Sequence, residues 1–242
     1  MINANVLVDP ILALVTSQIS DDVLFSACHF FHRYTLQHSV MLHSPSHTSL
    51  LCIFMACKVH EYNVTCAQLV RGHADEPYLA KFLIVHELQL LLALDFQLVV
   101  RSPFRALRGL LVDLAVFLAG KQHQLGDVSS LYEAVSVLLR KWMLWDIILH
   151  IPASQLALAA LHDVCSGQGV DLGAFLESLT AKNVARSRLE TVRHVTASDL
   201  RHQLDRIIVL AASRSLPSPA HLQVDVAHLC LSFGHFLSFS GA

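Results

Sequence analysis

The feature that most constrains the fold is a run of eight apolar residues, Leu50 to Cys57. Ser44 and Pro45 precede it, and this pair is typical of a helix N-terminus, since Ser caps the first turn and Pro fits the first helical position. A helix that is apolar on every face is stable only when other elements surround it. The sequence therefore predicts a central helix over about residues 45–60.

The composition extends this constraint to the whole chain. Of its 242 residues, 54% are hydrophobic and only 15% are charged, whereas about a quarter is usual. No stretch reaches the roughly 18 consecutive apolar residues that a membrane-spanning helix needs. The apolar excess must therefore be buried between protein elements, and the length allows two domains to do this.

Hydrophobic periodicity predicts an all-α fold. Apolar residues recur at helical spacings of three and four, and no alternating run is bounded by hairpin turns. Thr65 to Gln68 and Ser130 to Glu133 each match a capping box, which marks a helix start. The predicted helices span about residues 22–37, 45–60, 65–71, 77–96, 104–119, 130–149, 152–165, 171–179, 185–214 and 221–239.

The two halves of the chain resemble each other. Ser49 to Val59 lines up with Ser154 to Val164 at an offset of 105 residues (154 minus 49), and a short and a longer helix follow each segment. Matching order as well as helix type favours a duplicated unit of five helices. We therefore predict two five-helix bundles, each around a central third helix, that meet near Arg101-Ser102-Pro103.

Several segments resemble the cyclin box. They are VLFSACHFFHRY (23–34), HSVM (38–41), MACKVHEYNV (55–64), HELQLLLALDFQLVVRSPFR (86–105), GLLVDL (109–114) and PASQLALAAL (152–161). Together they cover about residues 22–180, and within the superfamily they are most similar to the cyclin H group.

This resemblance implies tandem cyclin boxes, the first at residues 21–101 and the second at 102–214. Residues 1–20 would be a short helical region, either divergent or truncated, because cyclins of this group carry a longer first helix. Residues 215–242 would form a C-terminal helix or tail.

The functional implication is a non-catalytic subunit that activates a cyclin-dependent kinase. For the cyclin H group it is the CDK-activating kinase, with a RING-finger assembly factor and TFIIH as further partners and a nuclear role in transcription and cell-cycle control. The resemblance also implies that Lys58 and Glu87 bind the C-helix region of the kinase, with Glu61 at a neighbouring acidic position. His60 replaces the acidic residue commonly found before it.

The charge pattern bears on the same residues independently. Lys58 is the first Lys, Arg, Asp or Glu after Arg33, and Glu87 is the only acidic residue between Glu76 and Asp95. Each charge lies on an apolar helix and needs either solvent or a partner. A docked kinase helix would supply carbonyls to the Lys and N–H groups to the Glu; the competing interpretation is that both are solvated ends of core helices. If a kinase docks there, part of the apolar excess of these two helices should lie on an exposed face that the kinase covers.

Two other functions remain open at this point. Cyclin C of the Mediator kinase module is similar around Ala56 to Val59, and adaptors of the TFIIB type use paired cyclin boxes on DNA. Arginines at positions 186, 188, 193, 201 and 206 would suit a nucleic-acid partner. The net charge of −2 and the lack of a paired Cys motif argue against it, so we expect no direct nucleic-acid partner and no membrane partner.

Nothing in the sequence predicts a catalytic site, a metal site or a cofactor. Gly-rich phosphate loops and nucleophile motifs are missing. His29 and His32 lie one helical turn apart with Cys28 beside them, but no fourth ligand has a matching spacing, so we interpret the histidines as surface residues. The six cysteines form no C-x-x-C pair and are expected to be reduced core thiols. Residues 1–20 lack Lys and Arg, which predicts an intracellular chain.

Overall fold

The computed structural model of the chain describes residues 19–39, 42–71, 75–120, 128–186 and 196–213. Over these residues it contains ten α-helices and no β-strand, which confirms the all-α prediction. The helices are α1 (Asp21–Gln37), α2 (Pro45–Val59), α3 (Cys66–Leu69), α4 (Glu76–Ala93), α5 (Pro103–Gly120), α6 (Val128–Trp142), α7 (Ile147–His150), α8 (Ala153–Gly167), α9 (Gly173–Arg186) and α10 (Ala197–Ala212). None of these helices is long and apolar enough to cross a bilayer.

The first of two compact units contains α1 to α4 and the segment Met143–Leu149. Its α2 packs against α1, α3 and α4. Every residue from Thr48 to Cys57 is buried, which confirms the prediction of an enclosed central helix. The neighbouring α1 contributes two fully buried aromatic side chains, Phe30 and Phe31.

The second unit contains α5, α6, α8, α9 and α10. Its third helix, α8, packs against α5, α6 and α10, and all residues from Leu156 to Leu161 are buried. Both α2 and α8 have 15 residues, and their starts correspond at an offset of 108 (153 minus 45) rather than 105. The two alignments differ by nearly one helical turn, so both pair similar faces of the helices.

One predicted helix is divided in two by the structure. The pattern over residues 130–149 corresponds to α6, which begins at Val128, and to the separate short α7. Ser130 therefore lies inside α6, and the capping box predicted there is wrong. The helix ends at Trp142 and the buried side chains of Met143 and Leu144 follow, in the segment that belongs to the first unit.

The long helix predicted over residues 185–214 is also wrong. α9 continues to Arg186, and α10 begins separately at Ala197. Thr196 has an extended backbone (φ −76°, ψ 161°), and its hydroxyl accepts the amide of Asp199 at 3.2 Å. This capping box starts a new helix, because an extended residue cannot continue an old one. The predicted helices within residues 1–20 and 221–239 lie outside the described residues, apart from positions 19 and 20.

The interpretation of His29 and His32 as surface residues is wrong. Both rings are largely buried in α1, and within the described chain His29 Nδ1 and His32 Nε2 have no hydrogen-bond partner. Burial, together with the charge of Arg33 and the neighbouring His32, lowers the pKa of His29 to about 4. Among the described residues, no three His, Cys, Asp or Glu side chains are grouped so that they could hold a metal ion. Cys28, Cys52, Cys57 and Cys165 are buried thiols.

These histidines predict a loss of stability in acid. The pKa of His29 is lower in the folded chain than the ordinary value of 6.5, so the unfolded chain binds more protons between those values. The contribution is fully present above pH 6.5 and is lost as the pH falls toward 4. Urea unfolding measures the free energy of unfolding at pH 7.5 and at pH 5. The decrease between these two pH values should be about 1 kcal/mol smaller in His29→Gln than in the parent chain, a figure reduced for the partial exposure of the ring to solvent. His150→Gln, at an exposed position, is the control; an equal loss in His29→Gln and the parent would contradict the assignment.

Candidate functional site

The structure brings together Lys58 and Glu87, two of the three predicted site residues. Lys58 lies in the last turn of α2, and its Nζ donates a hydrogen bond to Oε1 of Glu87 on α4. The same Nζ lies 5.2 Å from the ring centroid of Phe54, one turn earlier. The two charges are therefore each other's partners in the isolated chain, which the sequence did not indicate.

This ion pair is open to solvent on one side. The Lys58 side chain is 46% exposed and that of Glu87 is 27% exposed. Exposed pairs of this kind contribute only about 0–1 kcal/mol to folding. A partner that separates or rearranges this ion pair would therefore cost the protein little folding stability.

Glu61, the third predicted residue, lies three residues beyond Lys58 in a left-handed conformation with φ +55°. Its amide donates to the Lys58 carbonyl at 3.2 Å, and the Tyr62 amide donates to the Cys57 carbonyl at 2.8 Å. These two bonds form a Schellman motif, whose left-handed position usually holds Gly. The Glu61 side chain is exposed, and no ion pair of its carboxylate is found in the described part of the chain.

The second unit ends its central helix in the same way but with the expected residue. The Gly169 amide donates to the Ser166 carbonyl at 3.0 Å, and the Val170 amide donates to the Cys165 carbonyl at 2.8 Å. Gly169 has φ +74°. The two motifs are therefore equivalent, and a glutamate in place of glycine at position 61 carries a conformational cost of about 1 kcal/mol.

A hydrogen bond that the sequence did not reveal fixes the end of α2 to α1. Ser26, which is 1% exposed, donates its hydroxyl proton to the Asp22 carbonyl at 3.0 Å. Its oxygen lies 2.7 Å from Nε2 of His60, and since the hydroxyl has only one proton, His60 must be the donor in that bond. His60, the residue that departs from the acidic cyclin pattern, is thus hydrogen-bonded to the buried hydroxyl of Ser26.

The short helix α3 begins beside the ion pair. Its capping box is present as predicted: the Gln68 amide donates to the Thr65 hydroxyl at 3.3 Å, and the Thr65 amide donates to Gln68 Oε1 at 2.8 Å. Cys66, at the start of this helix, is partly exposed. Burial raises the pKa of Cys66, and Glu87 and Lys58 act on it in opposite directions.

The outer face of α4 exposes large apolar side chains next to this site. Ile84, Val85, Leu88 and Leu92 are each 59–64% exposed, while Leu79, Leu83 and Leu90 point into the core. The sequence predicted an exposed apolar face on the central helix and on this helix; the prediction is right for α4, whereas the corresponding part of α2 is buried. Exposed apolar patches next to polar groups mark interaction surfaces.

At the end of α4 the chain makes a strained turn that the sequence did not predict. Asp95 and Phe96 have φ values of +50° and +55°, and a left-handed conformation is rare for a bulky residue such as Phe. Arg33 of α1 holds the turn, because its guanidinium donates to the carbonyls of Leu94 at 2.8 Å and Gln97 at 2.6 Å. Phe96 is left 59% exposed, and strain of this kind is concentrated at functional sites.

Each half of the chain matches the model of a known protein domain family. The model of the cyclin N-terminal domain matches residues 5–99, and the model of the cyclin C-terminal domain matches residues 102–210. The tandem arrangement that the sequence predicted is therefore confirmed.

Similar proteins agree with these matches. Cyclin-H1-1 of Arabidopsis thaliana is 29% identical over 84% of this chain and 56% of its own length. Cyclin-H of Xenopus laevis is 32% identical over 72% of this chain and 53% of its own length. The chain thus spans about half the length of these curated relatives.

A solved structure shares the fold. A chain of the yeast TFIIK (Kin28/Ccl1/Tfb3) complex, determined by cryo-electron microscopy, superposes with a TM-score of 0.65. The alignment covers 86% of both chains at 19% sequence identity. At that identity the likeness establishes a common helical fold.

The left-handed residue after α2 gives a test with an internal control. Glu61→Gly should raise the free energy of unfolding by about 1 kcal/mol, because Gly adopts φ +55° without a steric penalty. Gly169→Ala, at the equivalent position, should lower it by a similar amount, since a Cβ there meets no atom within 4 Å and only the backbone conformation opposes it. Chemical denaturation measures both variants. A Glu61→Gly variant no more stable than the parent would contradict the strain at this position.

Proposed function

Since the chain belongs to the cyclin family, we propose that it is a non-catalytic regulatory subunit that binds and activates a cyclin-dependent kinase of the CDK-activating type. The similarity to cyclin-H proteins supports this choice within the family. The similar yeast chain comes from a complex of Kin28, Ccl1 and Tfb3 named TFIIK. By analogy, the partners of this chain are a kinase, a RING-finger assembly factor and TFIIH, and its location is the nucleus.

The observation that carries the proposal is the exposed Lys58–Glu87 pair at the end of an otherwise buried helix. A kinase helix that docks there meets a cation and an anion side by side. The ammonium of Lys58 can donate to carbonyls, and the carboxylate of Glu87 can accept N–H groups. Both charges then exchange a weak, solvated contact for hydrogen bonds inside an interface, where each is stronger.

The surroundings of the pair suit a helical partner. The apolar residues Ile84, Leu88 and Leu92 on α4 offer area for hydrophobic contact, and Phe96 projects from the strained turn that Arg33 holds. Glu61 adds a second, exposed carboxylate three residues after Lys58. We assign kinase-binding roles to Lys58, Glu61 and Glu87, and we add Phe96 as an aromatic anchor.

Activation follows from differential affinity. Protein kinases transfer phosphate only when a Lys on strand β3 and a Glu on the C-helix are paired. A cyclin that binds the C-helix only when its Glu is paired with the Lys shifts the kinase population toward the active state. The cyclin chain need not touch ATP, and all reacting groups belong to the kinase.

Exchange of the two charges tests the site without breaking the fold. In the double variant Lys58→Glu with Glu87→Lys, the ion pair can form again with reversed polarity, so the helices should stay intact. Kinase contacts would then meet the wrong charge, and binding should weaken by at least about 30-fold, which is the low end of the cost of disrupting a desolvated charge at an interface. Affinity is measured by surface plasmon resonance and activation by phosphorylation of a peptide substrate.

A matched control lies in the second unit. Lys182 and Asp113 form an exposed ion pair at 3.6 Å, and exchanging these two residues should change neither binding nor activation. The site assignment is wrong if the Lys58/Glu87 exchange binds as tightly as the parent while circular dichroism shows unchanged helix content.

Co-purification followed by mass spectrometry tests the choice of partner. We expect a cyclin-dependent kinase together with a RING-finger subunit. Recovery of Mediator subunits would instead favour the cyclin C-like function, and recovery of promoter DNA without a kinase would favour a TFIIB-like adaptor.

A further inference from the structure

A cleft lies in the first unit at the start of α2, the end of that helix opposite to Lys58. It has a volume of about 450 Å³ and lies between the end of α1, the start of α2 and the part of α4 from Tyr78 to Leu90. Six rings line it: Tyr34, His43, His47, Tyr78, Phe82 and His86. His47 precedes Lys58 by eleven positions, which places it about 16 Å away along the helix axis. We call this site the aromatic cleft.

The rings of the aromatic cleft are already packed in ordered pairs. His86 stacks on Phe82 with centroids 4.0 Å apart, and His47 lies 5.2 Å from the same Phe82 ring at an angle of 56°. On the other wall, Tyr34 meets His43 edge-on at 5.8 Å. Such offset and edge-to-face contacts are the arrangements that a further aromatic ring extends.

The polar groups that line the cleft are imidazole, hydroxyl and amide groups. Its other lining residues are Leu42, Ser44, Thr48, Leu51, Gln89 and Leu90, so no Lys, Arg, Asp or Glu is among them. Burial lowers the pKa of His47, with a further lowering by His86 and an opposing effect of Asp75, and this favours an uncharged ring. A charged ligand would lose its hydration here without an ionic partner, whereas a neutral ring with one N–H or O–H group would find imidazole, hydroxyl and amide acceptors.

The rim points to a polypeptide occupant. Leu42 and Tyr78 stand at the opening with 82% and 58% of their surfaces exposed. A free planar molecule inside the cleft would leave both in water, while residues that flank an anchor side chain would cover them. Trp and Tyr are the side chains that most often serve as such anchors.

From the lining and the rim together, we propose that the aromatic cleft is a docking site for a partner polypeptide that inserts a tryptophan or tyrosine side chain between Phe82, His47 and Tyr34. The site lies at the start of α2, about 16 Å along the helix axis from Lys58, and on α4 its lining residue His86 adjoins Glu87. It does not depend on the proposed kinase function.

The test uses the full chain with selectively labelled histidine side chains and three probes. N-acetyl-tryptophan amide carries the proposed ring, N-acetyl-leucine amide is the aliphatic control, and adenosine represents a free heteroaromatic molecule. Titration by NMR should move the imidazole signals of His43, His47 and His86 together. The tryptophan probe should bind at least about fivefold more tightly than the leucine probe, the ratio expected for one to two aromatic contacts.

Variants connect binding to the cleft. His47→Ala removes the ring that contacts Phe82 and should weaken the tryptophan probe by about fivefold. Tyr78→Ala changes an exposed residue, so it keeps the test decisive if His47→Ala loses helix content. His150→Ala, at an exposed position in α7, should have no effect.

Three results would overturn the proposal. The first is equal affinity for the tryptophan and leucine probes, and the second is unchanged tryptophan binding in both His47→Ala and Tyr78→Ala. The third is tighter binding of adenosine than of the tryptophan probe, which would make the cleft a small-molecule site.

Discussion

The middle of α2 is buried on every face and carries no polar side chain. Other helices of the first unit pack around it. Residues Leu50 to Cys57 are all buried, and among the described helices α1, α3 and α4 pack against this helix. The polar groups to satisfy lie toward the helix ends: the buried Ser49 hydroxyl donates to the Ser46 carbonyl at 2.8 Å, and the Schellman motif at Glu61 satisfies backbone carbonyls at the C-terminus. In the second unit α8 meets the same requirement with the same motif at Gly169.

This constraint also explains why a site arises at the end of α2. The first charged side chain after the buried stretch is Lys58, and it emerges where the neighbouring α4 carries Glu87. The ion pair contributes little to folding, so it is available to a partner. Glu61 stands where glycine would suit the left-handed backbone better, which fits the proposed binding role of its carboxylate, since function often costs stability. The hydrogen bond between His60 and Ser26 fixes that turn to α1.

The sequence predicted the features that depend on local pattern. The enclosed helices α2 and α8, the capping box at Thr65 and the pairing of two similar halves all follow from apolar periodicity and helix signals. The kinase-binding roles of Lys58, Glu61 and Glu87, which the cyclin resemblance implies, stay a prediction. Prediction from the sequence failed where the outcome depends on distant contacts. Periodicity continues through Trp142 to Leu149, yet burial of Met143 and Leu144 in the other unit divides that helix.

Several features of the site could not be read from one sequence for the same reason. The contact between Lys58 and Glu87 joins residues 29 positions apart, and the bond between Ser26 and His60 joins residues 34 apart. The turn at Asp95 and Phe96 contains no glycine to announce its left-handed backbone, and Arg33 stabilises it from 61 positions away. His29 and His32 looked like surface residues because imidazole is polar, but a neutral imidazole can be buried with α1.

The central claim is that a kinase binds the surface formed by the end of α2 and the outer side of α4. Amide hydrogen exchange of the chain, alone and with the kinase that co-purifies with it, tests this most directly. Residues 60–66 and 95–98 flank this surface, and the account predicts that the kinase slows amide exchange in both segments. It predicts unchanged exchange in α9 and α10. Slower exchange in α9 and α10, with residues 60–66 and 95–98 unaffected, would contradict it.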